Sequence, residues 1–147
     1  MDKYMTLWEF EEILKASWTK DTSIDENWSE DNVSLGQGAV TALVVDDYFG
    51  GIIMRCMTST GSHYYNILND GCLLVDFTRG QFGDEMPHYE TGEERTREYL
   101  LSNENTKSRY LKLLKNVKEY LELKKDVETA ACNAIQGIIS KYKKRLW

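Results

Sequence analysis

The run Gly38-Ala39-Val40-Thr41-Ala42-Leu43-Val44-Val45, continued by Asp46-Asp47-Tyr48, most constrains how this chain folds. Eight residues in a row carry no charge. Wound into a helix they put apolar side chains on nearly every side, so the segment suits a buried central helix rather than a surface one. Gly50-Gly51 then supplies a stop, because glycine readily adopts the conformation that ends helices. The rest of the 147 residues must wrap this segment. That length suits a single domain, 1–147, and buries most of its unfolded surface without disulfide or metal staples.

Three strand-like segments follow: Ile52–Met57, Ser62–Leu68 and Cys72–Thr78. Ser59-Thr60-Gly61 separates the first two. Asn69-Asp70-Gly71, a hairpin signal, separates the second and third. An antiparallel meander is expected. Upstream, Thr6 and Glu9 have capping-box spacing, and Leu7, Phe10, Ile13, Leu14 and Trp18 share one helical face. Residues 19–37 are polar, with Trp28 as their large aromatic anchor. Residues 79–92 read as a loop and Glu93–Ser102 as a short helix.

From Thr106 an amphipathic series runs through Tyr110, Leu111, Leu114, Val117 and Leu121, then Val127, Ala131, Ala134, Ile138, Tyr142 and Leu146. It is either two helices broken near Asp126 or one helix that projects. The expected fold class is α+β: a buried helix on a small antiparallel sheet within residues 1–105, with a basic helical segment over 106–147.

Charge divides along the same line. Residues 1–106 hold 7 Lys and Arg against 20 Asp and Glu, a net −13. Residues 107–147 hold 11 against 4, a net +7, which brings the chain to −6. The acidic part disfavours nucleic acid as a partner. The basic part is either a solvated lysine face or a docking surface for an acidic partner or a second subunit, so a homodimer through the C-terminal helix is one expectation. No apolar run reaches the length of a membrane span. Met1-Asp2-Lys3-Tyr4 does not resemble a signal peptide, so a cytoplasmic location is expected. Cys56, Cys72 and Cys132 are odd in number and unpaired in spacing, which argues against disulfides and zinc. Packing is the expected role of Cys56 and Cys72.

The chemistry lies in an order of elements: the start of a buried helix, a histidine on a strand, an aspartate on the next strand. Cysteine hydrolases of the papain-like and transglutaminase-like kinds use that order. The helix start lowers the thiol pKa, the histidine serves as base and the carboxylate holds the imidazole. His63 and Asp76 fit the second and third places, and a tight turn between their strands lets the side chains meet. Gly38 occupies the first place and has no side chain. His88 and Asp46-Asp47 are expected to be solvated, and Gly36-x-Gly38 lacks the Lys-Ser of a phosphate loop.

A family resemblance rests on many of these residues. Gly36-Gln37-x-Ala39-Val40-Thr41-Ala42-Leu43-Val44-Val45-x-Asp47-Tyr48-Phe49-Gly50-Gly51 resembles the YunG family of bacterial proteins. So do Ser17-Trp18, Thr22-Ser23 and Trp28 before it. After it come Gly61-x-His63-Tyr64-x-Asn66-x-Leu68, Asp70-Gly71, Asp76-x-Thr78, Gln81-Phe82, Arg97-x-Tyr99-Leu100-Leu101-Ser102-Asn103 and Arg109-Tyr110. The likeness spans roughly residues 5–123. It implies a cysteine, in Gly-Gln-Cys-Ala, where this chain has Gly38. Residues 124–147 run beyond the usual family length.

Three functions follow as expectations. The first is a catalytically degenerate cysteine-hydrolase-like protein that binds a small anionic metabolite or a peptide end beside the helix start. Gln37, Gly38 and Ala39, with Trp28, Tyr65 and Asn66, are the expected ligand-binding residues, and His63, Asp76 and Gly38 mark the vestigial catalytic place. The second is a cysteine amidohydrolase, peptidase or acyltransferase whose nucleophile is substituted at position 38. The third is an interaction protein that uses the C-terminal helix. No cofactor and no metal are expected.

Overall fold

A computed structural model describes residues 5–146, with side-chain environments through Arg145; Met1–Tyr4, the side chain of Leu146, and Trp147 lie outside the described residues. The first helix, α1, spans Leu7–Ser17 and opens with the expected capping box: Thr6 Oγ1 accepts the Glu9 amide while Glu9 accepts the Thr6 amide. A 3₁₀ turn at Lys20–Thr22 leads into a loop, and α2 runs Gly38–Phe49. The sheet follows as β1 (Ile52–Thr58), β2 (Gly61–Leu68) and β3 (Leu73–Val75). After a second 3₁₀ turn at Arg79–Phe82 come β4 (His88–Arg95), α3 (Arg97–Leu101) and α4 (Glu104–Leu146). The architecture is α+β, with an all-antiparallel sheet of order β3-β2-β1-β4.

α2 is the centre that its composition demands. Val40, Leu43, Val44 and Val45 are fully buried. The helix packs on β2 and β1 on one side and on α4 on another, and Phe10 of α1 meets the Tyr48 and Phe49 rings near its end. Asn66 Nδ2 donates to the Ala42 carbonyl at 3.0 Å, and Trp18 Nε1 donates to Thr41 Oγ1 at 2.9 Å. The first bond fixes where the helix lies along the sheet, and the second ties it to the end of α1. Gly50, at φ 68°, ends it.

Asp46 and Asp47, expected to be solvated, are instead paired. Arg97 reaches Asp46 at 3.0 Å and Asp47 at 2.8 Å, and also bonds Tyr110. Carboxylates at a helix C-terminus oppose the helix dipole, so the guanidinium offsets a local cost while tying α3 and α4 to α2.

Residues 88–95 form an edge strand, where a loop and then a helix from Glu93 are expected. The segment His-Tyr-Glu-Thr-Gly-Glu-Glu-Arg carries little apolar patterning because only β1 flanks it. Its register, Met57↔His88 then Arg55↔Glu93, is irregular, and Met57 N–H donates to Thr91 Oγ1. Thr96 caps α3 by accepting the Tyr99 amide, which places the helix start after Arg95. β3 stops at Val75, shorter than the expected Cys72–Thr78, because Asp76 Oδ1 accepts the Thr78 amide in an Asx turn. Cys72 is exposed in the turn before β3, so it does not pack.

α4 is one unbroken helix of 43 residues, with no break at Asp126. Its first part completes the core: Tyr110, Leu113 and Val117 are buried, and Arg109 donates to the Thr22 carbonyl. The core therefore extends past residue 105. Leu114 and Leu121 are half-buried, but Val127, Ile135 and Ile138 of the same helix are exposed in the single chain. Among the described residues no helix is long and apolar enough to cross a membrane.

Candidate functional site

Side chains alternate across β2, which puts His63 and Tyr65 on one side and Tyr64 and Asn66 on the other. His63 Nε2 lies 2.7 Å from Asp76 Oδ2, and both side chains are almost wholly buried. Three further donors converge on the carboxylate. Tyr89 Oη donates to Oδ2 at 2.7 Å, and the Thr78 amide and hydroxyl donate to Oδ1 at 3.2 and 3.3 Å. Such a set of donors suits a carboxylate, which only accepts, so Nε2 carries the proton in the neutral ring. Nδ1 is left as the acceptor.

Nδ1 faces the first residue of α2. A Cβ built on Gly38 would stand 3.2 Å from His63 Nδ1 and 3.4 Å from Cε1. The order helix start, imidazole, carboxylate is thus assembled in space, with hydrogen bonding complete at the carboxylate end and no side chain at Gly38. Phe82 sets its edge against the imidazole, 4.9 Å between centroids at 89°.

The loop before α2 is tied to the turn after Asp76 by one side chain. Gln81 Oε1 accepts the Gly36 amide at 3.2 Å while its Nε2 donates to the Thr78 carbonyl at 3.0 Å. Gly36 has φ 70°, and a Cβ there would collide with Ser23 and Asp25, so only glycine brings the loop this close. Gln37 is fully buried. Its Nε2 donates to the Thr19 carbonyl at 3.0 Å and its Oε1 has no partner, a spare acceptor at the helix entry.

The other expected binding residues have varied places. Ala39, one residue on from Gly38, lines a cavity of about 250 Å³ with Tyr64, Tyr99, Ser102 and Asn103. Tyr65 stands behind the carboxylate: its ring meets that of Tyr89 at 5.0 Å. Asn66 is spent on Ala42 from the opposite side of β2. Trp28 braces its own loop by donating to the Val33 carbonyl at 2.7 Å. The exposed His88 pairs with Glu90.

Cys56 pairs with His63 across β1 and β2. Burial, then the Asp76 and Glu90 charges, push its thiol up to about 11, where the thiolate is scarce at neutral pH. Tyr89, Thr78, Gln81 and Phe82 complete the site without having been singled out for it. Asp76-x-Thr78 carries a readable Asx-turn signal. Tyr89 is found only once β4 is known.

The profile of the YunG protein family matches residues 6–122. The chain is 37% identical over 92 residues, 63% of its own length and 76% of the relative's, to a Bacillus subtilis (strain 168) protein named "Uncharacterized protein YunG". No solved structure matches.

Proposed function

This chain belongs to the YunG family, and from the geometry around His63 we propose that it is a catalytically degenerate cysteine-hydrolase-like protein that binds a small anion or peptide end beside Gly38. The observation that carries this reading is the approach of Gly38 to His63 Nδ1, with Nε2 already held by Asp76. A base oriented by a buried carboxylate and aimed at a residue with no side chain is an arrangement for a nucleophile that the chain lacks. On this reading the helix and sheet have a papain-like arrangement.

What remains is suited to binding. The first amides of α2 point away from the helix and favour a negative charge. Gly38 is partly exposed, so a ligand can approach from its side although the imidazole itself is buried. The neighbouring cavity, with the Tyr99, Ser102 and Asn103 side chains, has room for a small molecule rather than a large cofactor. A carboxylate would take the helix amides.

Titration of the ¹⁵N-labelled protein with acetate, phosphate and N-acetylglycine tests this. Expected are saturable shifts at the Gly38, Ala39 and Val40 amides for at least one of the three, with a Kd of about 1 mM or tighter. The same titration of His63→Ala should be weakened. Shifts that never saturate, or that spread over the surface without regard to α2, would overturn the binding reading.

A further inference from the structure

The cavity of about 250 Å³ beside Ala39 lies between two helix starts. Ala39 is the second residue of α2. Asn103 precedes Glu104, the first residue of α4, and its side-chain oxygen accepts the Thr106 amide at 3.0 Å. Both helices therefore present first-turn residues, and the positive ends of their dipoles, to one space. Tyr99, Ser102 and Asn103 are exposed at its mouth, while Leu100 and Thr106 are buried at its floor. None of the described residues that line it is acidic.

A buried guanidinium stands behind this floor. Arg109 is 5% exposed, and its Nη2 donates to Thr106 Oγ1 at 3.4 Å. Its Nη1 donates to the Thr22 carbonyl at 3.1 Å and its Nε to Asn105 Oδ1 at 2.8 Å. All three partners are neutral. Burial alone lowers its pKa, with no acidic neighbour to oppose the shift. A charge taken out of water without a counter-ion is costly, and buried charges are paired as a rule. Thr106 is itself only 9% exposed, and its hydroxyl accepts from Arg109 while donating to no acceptor among the described residues. An O–H polarised by a guanidinium, with its proton unspent, is a donor at the cavity wall.

We propose that this cavity seats the carboxylate of the ligand, with Thr106 as its buried donor and Arg109 as the positioning residue whose charge it balances. The inference rests on the reading of a ligand site beside Gly38 and gives that ligand a chemical class, a small carboxylic acid. One guanidinium matches one negative charge, so a carboxylate fits better than a phosphate dianion. The acidic surface of the body does not reverse this preference. Exposed charges are screened within about 8 Å at physiological ionic strength, whereas a buried charge is screened much less. A free acid and the C-terminus of a peptide share this chemistry.

Titration of the ¹⁵N-labelled full chain with N-acetylglycine and with N-acetylglycinamide is the test. The two probes differ in charge at one end and little in size. Saturable shifts are expected at the Ser102, Asn103 and Thr106 amides, with the acid bound about ten-fold tighter than the amide. Thr106→Val should weaken the acid about ten-fold and leave the amide unchanged, and Thr106→Ser should restore the acid. Arg109→Gln should abolish the preference for the acid and Arg109→Lys should keep it. If the buried substitutions unfold the chain, the comparison of acid with amide on the unsubstituted protein decides alone. Levulinate, which has a methylene in place of the N–H of N-acetylglycine, separates the two sources. Weaker binding than N-acetylglycine marks a peptide end, and equal binding marks a free acid; both support the seat. Equal affinity for acid and amide overturns it. Saturation at Gly38 and Val40 with unmoved Ser102, Asn103 and Thr106 amides overturns this seat and leaves the site beside Gly38 standing. Saturation at neither set overturns both.

Discussion

Tyr89 donates its hydroxyl to Asp76 at 2.7 Å, on the oxygen that also faces His63. The tyrosine comes from β4, at the opposite edge of the sheet from β3. It therefore ties the carboxylate that orients the imidazole to the far side of the fold. Tyr89→Phe keeps the ring against Tyr65 and removes only the donor. A lost hydrogen bond to a buried carboxylate costs about 1–3 kcal/mol. Urea denaturation should show that loss with an unchanged m-value, and a change under about 0.5 kcal/mol would mean that water replaces the hydroxyl.

Gly38→Cys should create a thiol more acidic than an ordinary cysteine, because a helix N-terminus and an adjacent imidazolium both favour thiolate. The new Cβ lies close to Nδ1, so the ring must yield by a few tenths of an ångström. Iodoacetamide should label position 38 near neutral pH faster than Cys72 or Cys132, both exposed. His63→Ala in the same background should slow the labelling. Equal rates with and without His63 would show that Gly38 is only a tight helix entry.

Alkaline pH should unfold the protein in a defined window. Burial, then the neighbouring Asp76 and Glu90 charges, raise the Cys56 thiol from 9.0 to about 11. Burial, then the hydrogen bond to Asp47, raise the Tyr110 phenol from 10.0 to about 12. Both are acids that the folded state keeps protonated where the unfolded state loses the proton. The unfolded state binds fewer protons there, so stability falls as pH rises. Their contribution is complete below about pH 9 and is lost as pH climbs through about 11 to 12. Urea midpoints across that range measure it, and Cys56→Ala should move the onset upward by about one pH unit.

Removing residues 126–147 should leave the body folded. The buried side chains of α4 end at Val117, and its last half-buried one is Lys124. The truncated chain should keep the near-ultraviolet circular dichroism of the body and unfold cooperatively. Loss of that signal would mean that this end of α4 folds back on the body in solution.

Much of this fold was legible because burial and turns leave marks. The α2 segment is apolar all round, and Asn69-Asp70-Gly71 takes positive φ at all three residues, as a tight turn between β2 and β3 requires. The meeting of His63 with Asp76 was legible from element order and a short connection. β4 was not, since an edge strand can be polar on both faces and still pair through its backbone. Tyr89 was hidden with it. The continuity of α4 was ambiguous because its charged and alanine-rich stretch favours helix without showing what packs on it. Phe82 and Gln81 stood in a segment read as loop, and only their contacts show that they close the site from below.

The way Phe82 sits edge-on against His63 also has a kinetic side. The proton between the ring and Asp76 is shut off from water by a buried carboxylate, a second donor at the same oxygen and a phenyl edge. Its exchange with water is expected to follow lifting of the Arg79–Phe82 turn, a local opening that needs no global unfolding. Its lifetime, followed as a downfield imidazole resonance, is therefore a clock for how often this turn uncovers the ring.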